Sequence, residues 1–184
     1  MRGYKGDAWE GGHCVAFVVR WPRIIKPDTV CEQLAHQADI MATVADIVGA
    51  QLADDEGEDS FSLLPLLRGS QDLVREHAIS HGSTGLPALR LGNWKMLLGP
   101  SGGGPGSGES ATQPDRHPAQ LYDLAIDIGE SKNLYAARPE IVEKMTALMD
   151  KLVNEGRSTP GLTQQNDVPV YWKWFLKPSK NPPR

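Results

Sequence analysis

The pattern of apolar and polar positions changes character several times along this chain. Residues 1–13 are polar and punctuated by Gly3, Gly6, Gly11 and Gly12, which reads as loop. Val15 to Val19 is then continuously apolar, bounded by Gly12 and Pro22, the pattern of a buried strand in a sheet covered on both faces. From Asp39 to Val48 the period becomes helical. Ile40, Thr43, Val44, Ile47 and Val48 fall on one stripe, Asp39 stands at the N-cap or in the first turn, and Gly49 is a C′ stop. An acidic loop covers 51–60, and Phe61 to Leu67 predicts a short helical turn containing Pro65 and ended by Gly69.

Beyond residue 70 the segments shorten. His77 to His81 and Leu86 to Leu91 predict extended pieces, and Gly92-Asn93 followed by Trp94 to Leu98 predicts a β-hairpin. A glycine-dense stretch over 99–118 reads as a long loop, either a lid or an insertion. Gln120 to Leu124 predicts another strand and 127–133 a turn. Pro139 to Val153 predicts an amphipathic helix with Ile141, Met145, Leu148, Met149 and Leu152 on one face, Pro139 at N1 and Gly156 at C′. The tail from 161 to 184 is Pro-rich and aromatic, with Trp172 and Trp174 expected to pack on the core. These elements predict an α/β chain: a strand-and-helix part over 1–70, an α+β subdomain over 71–160 with a short antiparallel sheet and one packed helix, and an extended tail over 161–184.

Composition narrows the function classes. The 184 residues carry a net charge of −4, which gives no electrostatic reason to bind nucleic acid or an anionic membrane. No apolar run reaches the roughly 18 residues of a membrane span, and the start of the chain lacks the pattern of a signal peptide. The two cysteines, Cys14 and Cys31, exclude a disulfide scaffold and a four-cysteine zinc module. His13, His36 and His117 have no cysteine or carboxylate partners at ligand spacing, and the acidic residues Asp54 to Asp59 lack the calcium-loop pattern, so no metal site is assigned.

The candidate chemistry lies near the start. Lys5 sits among glycines, where a compact ammonium can approach a sulfate or phosphate oxyanion closely. His81, beside Gly82 and Gly85, is a second candidate that can line a pocket, ahead of His77.

Several motifs, in order, carry a family resemblance. Lys5-Gly-Asp-Ala-Trp-Glu-Gly-Gly12, followed by a short apolar segment and Trp21-Pro22, resembles a signature region of the sulfatases, within the alkaline-phosphatase-like superfamily. Asp39 to Gly49, Ser60 to Gly69, Arg90-Leu-Gly-Asn-Trp-Lys95 and Leu121 to Leu134 resemble that family's downstream segments in the same order. The Trp-Glu-Gly-Gly text argues against a phosphoryl-transfer relative from the same superfamily.

The resemblance is to the C-terminal portion alone. It implies a C-terminal fragment of the sulfatase fold and a sulfuric ester hydrolase chemistry in which Lys5 binds the sulfate and His81 contacts the substrate. The whole family uses a divalent cation, calcium, and a formylglycine made from the Cys or Ser of Cys/Ser-x-Pro-x-Arg. Neither Cys14 nor Cys31 has Pro two residues on or Arg four residues on, and the family's acidic cation-binding segments are not matched, so no cofactor is expected in this chain. Cys14 also stands where the family has Arg, and Ala16 where it has Pro. The resemblance leaves two functions open: part of a working hydrolase of sulfate esters, or a non-catalytic remnant or accessory module that associates with a separate chain. Aryl, polysaccharide and steroid sulfates all fit the first. The isolated chain is expected to be inactive and to self-associate through an exposed sheet edge. The family is often exported, which leaves localisation open.

Overall fold

The computed structural model describes residues 1–105 and 117–176. Most of the expected 99–118 loop, and the tail from 177 onward, lie outside the described residues. The elements run α1 (Glu10–His13), α2 (Asp39–Val48), α3 (Leu64–Leu67), β1 (His77–His81), β2 (Pro87–Leu91), β3 (Trp94–Leu97), β4 (Gln120–Asp123), α4 (Pro139–Glu155) and a 3₁₀ turn at Trp172–Leu176. Two compact units emerge. The first combines Met1–Val15, Ile79–Met149 and Pro169–Arg184; the second combines Ala16–Ala78 and Asp150–Val168.

The first unit is built on a four-stranded sheet of order β1-β2-β3-β4. The hairpin forms where the sequence predicts it, with Leu91 opposite Trp94 across Gly92-Asn93 and Gly92 at φ 56, a left-handed turn conformation that glycine adopts without strain. β3 pairs antiparallel with β4, Leu97 opposite Gln120 and Lys95 opposite Tyr122. Strand alternation then sorts the side chains into two rows. One row holds Ala88, Arg90, Lys95, Leu97, Gln120 and Tyr122; the other holds Leu89, Met96 and Leu121, all buried. On α4, Met145 and Met149 of the expected apolar face are buried as well. Asn133 ties the next turn to β4, accepting a bond from Leu121 N–H at 3.0 Å through Oδ1, while Leu134 N–H donates to Leu121 O at 2.8 Å.

The first row is covered by the N-terminal segment. Ala8 and Trp9 join Leu86, Ala88, Leu97, Tyr122 and Leu124 in one apolar cluster. Trp9 Nε1 donates to Gln120 Oε1 at 3.1 Å, so the indole buries its ring without stranding its N–H. Gln120 also accepts from Tyr122 Oη at 2.7 Å and donates to Gly99 O at 2.8 Å. The start of the glycine-rich stretch is therefore packing material. Gly102 and Gly103 are buried, Gly102 O accepts from Ala8 N–H at 2.7 Å, and a β-carbon on Gly102 would overlap the Trp9 ring.

In the second unit α2 has the expected bounds, and Gly49 takes the left-handed C-cap at φ 72. Its buried face matches the expected stripe only at Thr43. Asp39 and Ala45 are buried beside it, while Val44 is 50% and Val48 69% exposed. The cause is hydrogen bonding. Asp39 accepts from His36 N–H at 2.7 Å and Phe61 N–H at 3.0 Å, and pairs with the Arg75 guanidinium at 2.5 Å. Thr43 Oγ1 accepts from Leu63 N–H at 2.8 Å, and Ser60 Oγ donates to Ala38 O at 2.6 Å. These bonds turn the polar side of α2 onto the 60–63 segment and leave the apolar stripe uncovered. The acidic loop is also tied down: Asp54 pairs with buried Arg157 at 3.1 Å and accepts from Gln164 Nε2 at 3.0 Å.

The segment expected as a buried strand forms none. Residues 15–19 join no ladder, with Phe17 58% and Val18 88% exposed, and one turn of helix, α1, precedes them. A strand needs neighbours to satisfy its backbone groups, and the described residues supply none at this segment. Hydrogen exchange should accordingly find little protection at 15–20 and strong protection at 141–152. Sedimentation should show concentration-dependent association that weakens when Phe17 and Val44 are replaced by lysine. A monomer with well-protected amides at 15–20 would contradict this.

Candidate functional site

Lys5 stands on a turn closed by Asp7. Asp7 N–H donates to Tyr4 O at 2.9 Å, and Tyr4 N–H donates to Asp7 Oδ2 at 2.9 Å. This reciprocal pair fixes the backbone at Lys5 and leaves its side chain exposed. Gly6, at φ 98, needs a glycine for that conformation. Its carbonyl accepts from Ser83 N–H at 2.7 Å. Ser83 lies two residues past His81, which occupies the exposed end of β1. One hydrogen bond thus joins the loops carrying the two sequence-predicted site residues. Crowding by the surrounding chain desolvates the His81 imidazole and lowers its pKa, which favours the neutral ring. His77, at the other end of β1, packs edge-on against Phe61 with ring centroids 6.3 Å apart.

The Gly11-Gly12 pair has a steric reason. A β-carbon on Gly11 would overlap the carbonyl oxygens of Arg2 and Gly3, and one on Gly12 would overlap that of Asp7. The chain folds back on itself here, with Gly11 N–H donating to Arg2 O at 2.7 Å. Arg2 lies over the Trp9 ring at 4.0 Å and donates to Tyr122 Oη at 3.0 Å and to Glu130 O at 3.1 Å.

Beneath this loop lies a charge cluster that sequence reasoning missed. Lys95 Nζ, 1% exposed at its side chain, stands 2.8 Å from Glu10 Oε1 and 3.1 Å from Glu130 Oε1. Glu130 Oε2 accepts from the Glu10 backbone N–H at 2.8 Å. At the rim, His13 Nε2 is 3.5 Å and an Arg90 guanidinium nitrogen 3.6 Å from the Glu10 carboxylate. Burial works against the charged form of Glu10, but His13 and the Lys95 ammonium outweigh it and bring its pKa down to about 2. For Glu130, burial prevails over the pull of Lys95 and raises the carboxyl above its ordinary value. One signal was visible in the sequence: Lys95 interrupts an otherwise apolar strand, and an ammonium at such a position needs a partner.

No three His, Cys, Asp or Glu side chains gather in a metal-holding arrangement among the described residues. Cys14 and Cys31 are both exposed free thiols. No described helix is long and apolar enough to cross a membrane. The arrangement can present one exposed ammonium to an anion on a hydrogen-bonded loop, next to a strand end bearing an imidazole whose pKa burial lowers.

No family model matches the chain. It is 33% identical over 163 residues to an N-acetylgalactosamine-6-O-sulfatase of Bacteroides thetaiotaomicron, a match covering 82% of this chain and 29% of that protein. It is 29% identical over 199 residues to a mouse steryl-sulfatase, covering 96% of this chain and 31% of the relative. For human arylsulfatase D the identity is 28%, covering 95% of this chain and 34% of the relative. A solved structure described under "Metabolism of multiple glycosaminoglycans by Bacteroides thetaiotaomicron is orchestrated by a versatile core genetic locus" superposes with a TM-score of 0.71 at 31% identity, over 82% of this chain and 31% of that one. The chain spans about a third of the length of the relatives it matches.

The cluster sets a pH dependence of defined sign. A carboxylate whose folded pKa is depressed adds stability above its ordinary value of 4.5, and this is lost as pH falls toward about 2. Glu130, with a raised pKa, has the opposite sign and destabilises only where it is ionised. Glu10→Gln should therefore unfold in less urea than the parent chain at neutral pH, and the gap should close as pH drops from 4.5 toward 2. A gap that is constant over this range would contradict the assigned charge state.

Proposed function

We propose, from the premise that this chain belongs to the sulfatase family, that it is the C-terminal part of a sulfuric ester hydrolase and carries the sulfate-contacting lysine. The observation behind this reading is the clamped signature loop. Trp9 and Glu10 are buried against the sheet while Lys5, on the same loop, points its charge to solvent. In this reading the Lys5 ammonium neutralises a sulfate oxygen and strengthens its hold as negative charge develops in the transition state. His81, held neutral, lies on the adjoining loop and contacts the substrate as a hydrogen-bond partner.

The rest of the chemistry does not come from these residues. The formylglycine of the family requires Cys/Ser-x-Pro-x-Arg, and neither Cys14 nor Cys31 has that context. Calcium requires a cage of oxygen ligands, and the described carboxylates form no such group. Neither group fits the residues present. The substrate is a sulfate ester, engaged when a polypeptide supplying nucleophile and cation completes the site.

A second reading, a non-catalytic module bound to a separate chain, draws on one observation. The apolar residues Phe17, Val18, Val44 and Val48 lie exposed in the second unit, as a surface meant to be covered would be.

A chromogenic aryl sulfate should show no turnover with the purified, calcium-supplemented chain. Lys5 alone supplies about 1 kcal/mol or less of anion binding, and a lone cation has no nucleophile to direct. Hydrolysis that disappears in Lys5→Ala would overturn the assignment of an incomplete site.

A further inference from the structure

We propose that Lys95 is a positioning residue for Lys5: by bridging Glu10 and Glu130 beneath the signature loop, it fixes the register in which that loop presents the Lys5 ammonium. This deepens the functional reading above and rests on Lys5 being the oxyanion contact.

The loop is held elsewhere by backbone bonds at Gly6, Ala8 and Gly11 and by the Arg2 guanidinium, none of which engages the Glu10 side chain. Between Arg2 and Gly12 the apolar side chains that bury are Ala8 and Trp9, and four residues are glycine. Apolar contacts are non-directional, and the Trp9 indole is pinned at its N–H by Gln120, which leaves the Glu10 end of the loop to the charge cluster. The Lys95 ammonium is directional: it donates to Glu10 Oε1 at 2.8 Å and forms an ion pair with Glu130 Oε1 at 3.1 Å that is not a hydrogen bond. Glu130 also receives the Glu10 N–H at 2.8 Å, so side chain and backbone of one loop residue are fixed by the same pair of partners. Lys95 itself is fixed by β3, where it lies opposite Arg90 and Tyr122. The path to Lys5 is short and covalent. Gly11 N–H bonds to Arg2 O, Asp7 closes the turn around Lys5, and Ser83 N–H bonds to Gly6 O. A shift at Glu10 is passed toward Lys5 along a stretch whose single glycine, Gly6, is held by its bond from Ser83. A buried ion pair is weak evidence of net stability, and fixing one register is its best-attested use.

The experiment is hydrogen–deuterium exchange by mass spectrometry on the full chain, with inorganic sulfate as probe. Two peptides are followed, one spanning 1–13 and one spanning the 87–98 hairpin. In Lys95→Met the 1–13 amides should exchange about a hundredfold faster than in the parent chain while the hairpin stays protected. The charge-retaining Lys95→Arg should recover part of that protection. Sulfate should slow exchange in 1–13 in the parent chain, not in Lys5→Ala, and only weakly in Lys95→Met.

Unchanged 1–13 exchange in Lys95→Met would overturn the proposal, as would 1–13 and the hairpin loosening together in a variant that still folds. If Lys95→Met does not fold, Glu130→Gln, which removes one of the two carboxylates, is read by the same criteria. The two readings fail separately. If sulfate protects nothing in the parent chain, the oxyanion role of Lys5 falls, and the Lys95→Met exchange contrast still decides whether Lys95 sets the loop.

Discussion

A buried ammonium between two carboxylates is the constraint on which the first unit depends. Burying three charges costs several kcal/mol per ion before they meet, and that cost is offset only when geometry and hydrogen bonding are good. Here Lys95 donates to Glu10 at 2.8 Å and stands 3.1 Å from Glu130 Oε1, which takes no hydrogen bond among the described residues, while the other Glu130 oxygen accepts the Glu10 backbone N–H. An apolar trio of similar volume could bury comparable area, but it would not fix which residue of a glycine-rich loop stands over which residue of the sheet. The cluster also gathers distant text: Glu10 from the Trp-Glu-Gly-Gly segment, Lys95 from the hairpin and Glu130 from the turn after β4. Motifs that read as separate words along the chain are one object in space.

The second unit follows the same logic with different residues. Asp39 begins α2 and is fully buried, holding Arg75 and the N–H groups of His36 and Phe61. Thr43, one turn on, takes Leu63 N–H. The segments resembling sulfatase text at 39–49 and 60–69 are therefore joined by hydrogen bonds between them. In both units, motif residues that look like surface polarity in the sequence are the buried directional contacts.

What was legible in the sequence was local. The Gly92-Asn93 hairpin, the α2 and α4 spans and the Gly49 stop depend on residues a few positions apart, and each stands where its pattern puts it. What was not legible was pairing at long range. Val15 to Val19 has the composition of a strand, but a strand exists only with partners, and pattern cannot report whether partners are present. Of the α2 stripe, Thr43 is buried while Ile40, Val44, Ile47 and Val48 are exposed, because the pattern does not say which positions have hydrogen-bond partners waiting. Of the candidate site, Lys5 and His81 were visible through glycine context and resemblance, and one backbone bond between Gly6 and Ser83 links their loops. Glu10, Lys95 and Glu130 were in the quoted motifs all along. Their meeting is tertiary, and a charged residue in a sequence does not declare whether water or an ion pair solvates it.

The inversion in α2 bears on what kind of object this chain is. A helix that buries aspartate and threonine while exposing isoleucine, valine and methionine is poorly solvated if nothing covers it, and an unpaired apolar segment at 15–19 adds to the cost. The polar inner contacts are specific and complete, so the exposed stripe is not a sign of misplacement: the helix is fixed by bonds that leave its apolar side outward. Such a surface is stable when another layer lies on it. The relatives are about three times as long as this chain, and their additional length is ample for such a layer. The first unit, by contrast, has Leu89, Met96 and Leu121 buried on one row of its sheet and Ala88, Leu97 and Tyr122 on the other. The chain thus joins a unit with a buried sheet core to a unit whose helix turns an apolar stripe outward.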